Sequence, residues 1–364
     1  MLDVECGHYR SPFWSGWSHR HSRAPPGRDV VPECGHSSQP FPSGEASNRR
    51  SASPTGRCAG RRRPAPKRAI CASVVDAEVR VGLSLAAHDR AGMTEQATAF
   101  ESRGFDVLAV ADHVFNFRAP ERPFLDGWIR LAALAAATRN VRIASLVTNV
   151  AWRSPVQIAK NAIALDQLSG GRLELGLGCG AYRDQRMMDV FEMPASERVS
   201  RLDEGIQVID RLLRGDTTPF DGRYTRYDEA HTAPGCVQRP RPPLLIGAGA
   251  PRTLAIAARY ADIWNCATPD GDLDSMTTIL RARVDRFTAA CEDCGRDPAT
   301  VRRSLLLWSA DADPWAAKGA FERLIERFSP LGFSDFIALM PLPERTEVLD
   351  HFTDTVLRKR SAAW

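Results

Sequence analysis

From Val79 onward, short runs of apolar residues recur along the chain, and between them apolar positions return with the three-to-four-residue spacing of a helix. The runs are VRVGLSL from Val79, FDVLAVADH from Phe105, VRIASLVT from Val141, RLELGLG from Arg172, PPLLIGAG from Pro242, DIWNCA from Asp262, RRSLLLW from Arg302 and DFIALM from Asp335. Short, bounded and almost continuously apolar, each reads as a strand buried on both faces. Helices are predicted over Thr94–Ser102, Phe124–Thr138, Tyr182–Leu213 with a break near Pro194, Thr253–Tyr260, Leu273–Cys291, Pro314–Phe328 and Arg345–Leu357. Between Thr217 and Asp228, Asp221-Gly222 is a hairpin signal and predicts a small insertion.

The stretch from Ser145 to Gly180 organises the rest. A strand ends there, Ser154-Pro155 turns the chain, and an amphipathic helix carries Val156, Ile158, Ala159, Ala162, Ile163 and Leu165. Gly170-Gly171 stops the helix, and the next strand runs into Gly176, Gly178 and Gly180. A strand, a helix and a strand so connected form a right-handed parallel crossover. Eight such strands alternating with helices over about 285 residues match an α/β fold of the (β/α)8 TIM-barrel type. An open doubly wound sheet is the rival, but GLSLAAHD after the first strand lacks the G-x-G-x-x-G that fold usually places there.

Residues 1–77 have a different texture. They are rich in Ser, Arg, Pro, Gly and His, lack either periodicity, and are expected to form a disordered leader, either a solvated tail or a stretch upstream of the true start. No apolar h-region marks a secretory signal. RCAGRRRPAPKR, from Arg57 to Arg68, could meet an anionic surface, or be solvated. The formal charge of the whole chain is only +4, much of the excess lies in this leader, and no nucleic-acid partner is expected. No apolar run is long enough to span a bilayer, so neither a membrane partner nor a membrane location is expected. Nine cysteines at irregular spacing argue against a disulfide framework and for the cytoplasm. Cys291 and Cys294 have CxxC spacing, which suits a redox pair, half a zinc site, or a helix end with free thiols; no second CxxC follows. The histidines are too scattered for a metal set, so no metal is expected.

Candidate chemistry gathers at strand ends. Asp112 and His113 close the second strand, where an imidazole can move a proton and a neighbouring carboxylate can orient it or pin a ligand. Phe115 and Phe117 could wall an apolar pocket or simply pack. At the fifth strand, IGAGAPRT offers the amides of Gly247, Ala248 and Gly249 as an anion nest before a helix, with Arg252 and Thr253 as further donors. The alternative is that these glycines only relieve crowding. In GLGCG, bare backbone would let a planar ring approach.

GFDVLAVADH, VRIASLVTNVAWRSPVQIAKNAIALDQLSGGRLELGLGCG, RLDEGIQVIDRLL, FDGRYTRY and QRPRPPLLIGAGAPRTLAIAARYADIWN, in this order, resemble the luciferase-like monooxygenase superfamily, and within it the coenzyme F420-dependent oxidoreductases of actinobacteria. The resemblance covers Val79 to about Asn265 strongly and the remainder loosely. It implies that residues 78–364 form one luciferase-like TIM-barrel domain with a flavin or deazaflavin over its C-terminal face. It places the proton-handling histidine at His113 beside Asp112, and a strand-three bulge, often with a non-proline cis peptide, at Ser145 and Leu146. It places ring-side contacts at Gly178, Cys179 and Gly180, and phosphate-binding amides at Gly247, Ala248 and Gly249. Coenzyme F420 is the expected cofactor, with hydride moving to or from a small organic substrate. FMN is the alternative, in a monooxygenase fed by a separate reductase, and a non-catalytic ligand-binding barrel is a third reading. A homodimer is implied. Sugar-phosphate dehydrogenases of this family carry acids where this chain has Ala181 and Ala86-Ala87, so that reaction is not expected.

Overall fold

The computed structural model describes residues 79–85, 90–116, 121–180 and 193–361. The expected leader, Ala86-Ala87, Phe117, Ala181 and the first part of the Tyr182–Leu213 helical stretch lie outside the described residues.

In chain order the strands are β1 (Arg80–Ser84), β2 (Val107–Val110), β3 (Arg142–Ser145), β4 (Thr148–Asn149), β5 (Leu173–Gly178), β6 (Phe220–Asp221), β7 (Arg226–Tyr227), β8 (Leu244–Gly247), β9 (Ile263–Ala267), β10 (Arg302–Leu307) and β11 (Asp335–Leu339). The helices are α1 (Arg90–Ser102), α2 (Gly127–Ala137), α3 (Pro155–Ser169), α4 (Ala195–Leu213), α5 (Pro251–Tyr260), α6 (Leu273–Asp293), α7 (Ala320–Phe328), α8 (Thr346–Phe352) and α9 (Arg358–Ser361). Parallel pairings run β3-β2-β1-β11-β10-β9-β8-β5, and a β3–β5 pairing closes the ring. Eight strands, all parallel, therefore form the expected (β/α)8 barrel, with β4 as a short continuation of β3 paired to β5. β6 and β7 form the antiparallel hairpin of the small insertion.

Local chemistry sets the boundaries. α3 starts at Pro155, whose missing N–H would be unpaired in the first turn anyway, and ends at Gly170 in the left-handed region (φ 65°). Asp126 caps α2 by accepting from the N–H groups of Trp128 and Ile129, and Asp272 caps α6 in the same way. The hairpin is tied down by Glu204 of α4, which accepts from the backbone N–H of Arg223, Tyr224 and Thr225. The helix expected from Pro314 begins only at Ala320. Trp315 instead turns inward, donates its indole N–H to Leu339 O at 2.7 Å and packs edge-on against Phe321 and Phe352. Its burial outweighs the helical spacing of the segment.

One apolar core lies between barrel and helices and a smaller one fills the barrel, where Val107, Ala109, Ala144, Leu146, Leu245 and Ile337 meet. The N-terminal rim is closed by charge. Arg80 and Arg142 both reach Glu174 (2.8 and 2.6 Å), while Arg80 and Arg302 both reach Asp335 (3.5 and 3.1 Å). All five side chains come from the first or second residues of barrel strands, so one end is plugged and the other is left for ligands. Among the described residues, no helix is long and apolar enough to cross a membrane.

β5 passes so close to β3 that a Cβ on Gly176 would lie 1.8 Å from Ser145 O. Gly176→Ala should therefore cost more than about 3 kcal/mol, because backbone would have to move. Gly170→Ala, with nothing within 4 Å of the added carbon but a positive φ, should cost about 1 kcal/mol. Urea denaturation of the two variants checks this order.

Candidate active site

Because the barrel strands are parallel, the segments that follow β2, β3, β5 and β8 all emerge on one rim. Asp112 and His113 stand there, two and three residues beyond β2. Asp112 is buried, and both of its carboxylate oxygens accept from Arg153: Nε donates to Oδ2 at 2.9 Å and Nη2 to Oδ1 at 2.7 Å. Arg153 Nη2 also donates to Asp126 Oδ2 at 2.7 Å, so one guanidinium joins the end of β2 to the cap of α2. Burial pushes the Asp112 carboxyl up, while the bonds and charge of Arg153 oppose the rise. Burial also works against the Arg153 charge, yet its bonds to Asp112 and Asp126 leave its pKa raised. Two-point contact of this kind is the geometry of an ionised pair. Asp112 thus fixes the strand end through Arg153. His113 is half-buried, with its ring centroid 6.4 Å from that of Phe124.

Beyond β3 the chain steps aside. The non-proline cis peptide joins Leu146 to Val147, at the second residue of the expected bulge. Ser145 is buried, and its hydroxyl donates to Gly176 O and accepts from Gly176 N, both at 2.8 Å, so it stitches β3 to β5. The Leu146 side chain points into the barrel core. Val147 alone in this bulge is half-exposed at the mouth, packed on that core. A Cβ on Gly178 would lie 2.5 Å from Val147 Cγ2, and one on Gly247 3.3 Å from the same atom. A Cβ on Gly180 would lie 2.0 Å from Asn149 Nδ2. Gly178, Gly180 and Gly247 therefore make room for the bulge, and the surface offered to a ring is the Val147 side chain. Cys179, between two of these glycines, is half-buried and forms no disulfide among the described residues.

The nest after β8 is smaller than its sequence suggests. Ala248 N donates to Asn265 O at 3.0 Å, and Thr253 Oγ1 is occupied with the backbone of Ala250, accepting from its N–H and donating to its carbonyl. Arg252 is exposed and reaches Ser196 O and Ser200 Oγ on α4. Gly249 keeps open space, bounded by the guanidinium of Arg283, whose Cζ would lie 3.8 Å from an added Cβ. Arg283 is itself steadied at the end of β9 by donating to Ala267 O at 2.9 Å. Sequence reasoning missed Arg283, Val147 and Arg153. The first lies mid-helix, far from any motif. The second is one more apolar residue in an apolar strand. For Arg153, a cation beside Ser154-Pro155 at a strand exit was the available signal.

Among the described residues around this mouth, Thr148 Oγ1, Trp152 Nε1 and Arg198 Nε are buried without a hydrogen-bond partner. Arg198 is held by donating through Nη1 to Gly180 O at 3.1 Å. An apolar floor ringed by unfilled polar atoms, with a cation and open backbone on one side, fits a flat polycyclic ligand with polar edges and an anionic arm. A separate cavity of about 660 Å³ opens between the turn after β4, which carries Trp152 and Arg153, and the hairpin residues Tyr224 and Arg226.

Arg153→Met would leave Asp112 buried and unpaired. It should cost about 3–5 kcal/mol in chemical denaturation, and Arg153→Met/Asp112→Asn should recover a large part of the loss.

The sequence profile described as luciferase-like monooxygenase matches residues 72–351. An F420-dependent hydroxymycolic acid dehydrogenase of Mycobacterium tuberculosis is 30% identical over 232 residues, covering 63% of this chain and 61% of that protein. The oxygenase component of a flavin-dependent trigonelline monooxygenase from Acinetobacter baylyi is 31% identical over 180 residues, 50% of this chain and 48% of that protein. The chain thus spans about three fifths and one half of these two relatives. An F420-dependent secondary alcohol dehydrogenase, solved with an F420-acetone adduct, superposes with a TM-score of 0.67 at 19% identity, covering 77% of this chain and 98% of the other, and shares the fold. With a family profile matched along most of its length and a closed parallel barrel to go with it, the chain belongs to the luciferase-like monooxygenase family.

Proposed function

We propose that the protein is an oxidoreductase that uses coenzyme F420 to move hydride to or from a small organic substrate, with His113 handling the proton. The observation that carries this reading is a half-buried imidazole at the exit of β2, on the rim where the Val147 floor and the Gly249–Arg283 corner also open. The F420-dependent M. tuberculosis relative supports the choice of cofactor.

Bound here, the deazaflavin would supply two-electron hydride chemistry. The chain's own residues do the rest. Val147 gives a water-poor apolar wall at which charge transfer is not short-circuited by solvent. Thr148 Oγ1 and Arg198 Nε would serve polar ring edges, and Arg283 with the Gly249 backbone would hold an anionic arm. When hydride leaves a carbon, the accompanying proton needs a base, and His113 takes it at an imidazole nitrogen; in the reverse direction it returns it. Arg153 and Asp112 keep the strand end, and with it the imidazole's backbone, in place. The flavin-dependent relative favours a second reading, in which FMN reduced by a separate reductase would be the cofactor of an oxygenase. We place the protein in a reducing compartment, the cytoplasm, to which the free thiols of Cys236, Cys266 and Cys291 are suited.

Fluorescence titration should give tighter binding of F420 than of FMN, and tight FMN with no response to F420 would overturn the assignment. With a substrate found from a panel of alcohols, ketones and enones, His113→Ala should lower turnover by about 10²–10⁴-fold while cofactor affinity stays within about twofold. Exposed Ile129 on α2 and Leu168 on α3 support pairing with a second copy, and light scattering should report a dimer.

A further inference from the structure

Arg130 is the fourth residue of α2 and is fully buried, at 0% exposure. It shares a buried face with Gly127, Leu131 and Leu134. Its Nη2 donates to Leu85 O, just past the end of β1, while Nε and Nη1 have no hydrogen-bond partner among the described residues. No acidic side chain among the described residues pairs with it, and burial alone lowers its pKa, to about 10. Arg80 and Arg241, also buried at the barrel ends, are by contrast neutralised by carboxylates. A buried guanidinium with two unfilled donors is costly and calls for a counter-charge.

The neighbouring side chain indicates how one could arrive. Phe124 is half-buried, its ring 5.3 Å from Arg130 Cζ and 6.4 Å from the ring of His113. Phe124 thus lies next to both the guanidinium and the imidazole, and its rotation would be the route by which a group at the mouth reaches Arg130. The position also decides which ligand is involved. β1 and β8 are four strands apart in an eight-strand ring, so Arg130 lies across the barrel from the Gly249–Arg283 corner. An anionic arm held at that corner cannot also be the partner of Arg130.

We propose that Arg130 is a specificity-determining residue that recognises an anionic oxygen group, of the carboxylate class, on the organic substrate, with Phe124 as its gate. The placement of the reacting carbon near His113 rests on the function proposed above; the anion site itself does not. A carboxylate offers both the charge and the several acceptor oxygens that Nε and Nη1 lack.

The test is thermal denaturation of the full chain with acetate, benzoate and decanoate, each against its primary amide at matched ionic strength. At least one carboxylate should raise Tm saturably by about 2–5 °C, and its amide should not. Arg130→Met should lose the difference and be no less stable than wild type without ligand. Equal effects of acid and amide in all three pairs, or a carboxylate effect that survives Arg130→Met, would overturn the proposal. Should Arg130→Met fail to fold, Phe124→Ala decides: carboxylate affinity should rise about fivefold or more, and no rise refutes the gate and the site together. Cofactor titrations separate the sources of the anion. Arg130→Met should bind F420 or FMN within about twofold of wild type, whereas a loss of about tenfold or more would assign the guanidinium to the cofactor and overturn the substrate assignment. If wild type bound neither cofactor but kept the carboxylate effect, the proposed function would fall and the anion site would stand.

Discussion

The close approach of β5 to the end of β3 is the constraint on which the mouth of this barrel depends. Ser145 clips the two strands together with a pair of 2.8 Å bonds to one residue, Gly176, which has no room for a side chain. Held there, the chain cannot continue straight, and it steps through Leu146 and Val147 before resuming as β4 beside the last residues of β5. The step puts Val147 over the top of the inner core. It fills the space in front of Gly178 and Gly247, and it positions Asn149 against Gly180. Several glycines that look like gaps for a ligand are thus gaps for the protein itself.

Charge is handled differently at the two ends. At the N-terminal rim three arginines and two acids share contacts, and every member is the first or second residue of its strand. Such a network closes the barrel and leaves nothing for a ligand. At the C-terminal rim Arg153 is consumed by Asp112 and Asp126, which locks β2 to α2. What remains unsatisfied there is specific: an arginine with two idle donors under Phe124, a threonine hydroxyl, an indole N–H and a second guanidinium nitrogen. Unfilled buried donors of this kind beside an open rim are what a polar ligand would satisfy.

Much of the fold could be read from the chain because parallel strands buried on both faces leave unbroken apolar runs, and DFIALM or DIWNCA can be little else. Boundaries were legible where the punctuation is local, as at Pro155 and Gly170. They were not where a tertiary contact decides, as with Trp315, whose indole partner lies 24 residues away. The candidate site divides along the same line. His113 and the nest announce themselves through residue type at a strand end. The partner of Asp112 is 41 residues distant, so the pairing that makes it structural has no trace in local pattern. Arg130 is hidden for a different reason: among helical apolar residues a lone arginine reads as the solvent face, and only the packing of α2 on the barrel turns it inward.

Taken together, these placements order the mouth from one side to the other. The corner at Gly249 and Arg283 offers a cation and backbone, the middle offers the Val147 side chain, and the β1–β2 side offers His113 with a shielded cation behind Phe124. Charge at both edges and apolar surface between them would suit the proposed hydride transfer, since anionic parts of two bound molecules could be anchored while the reacting atoms meet out of water. Under the proposed function, the cofactor's arm and the substrate's anion would be held on opposite sides of the barrel, by residues of α6 and α2. The electrostatic attraction that binds one would then not compete with the other, and the imidazole would stand on the substrate's side, where the proposed reaction needs a proton carrier.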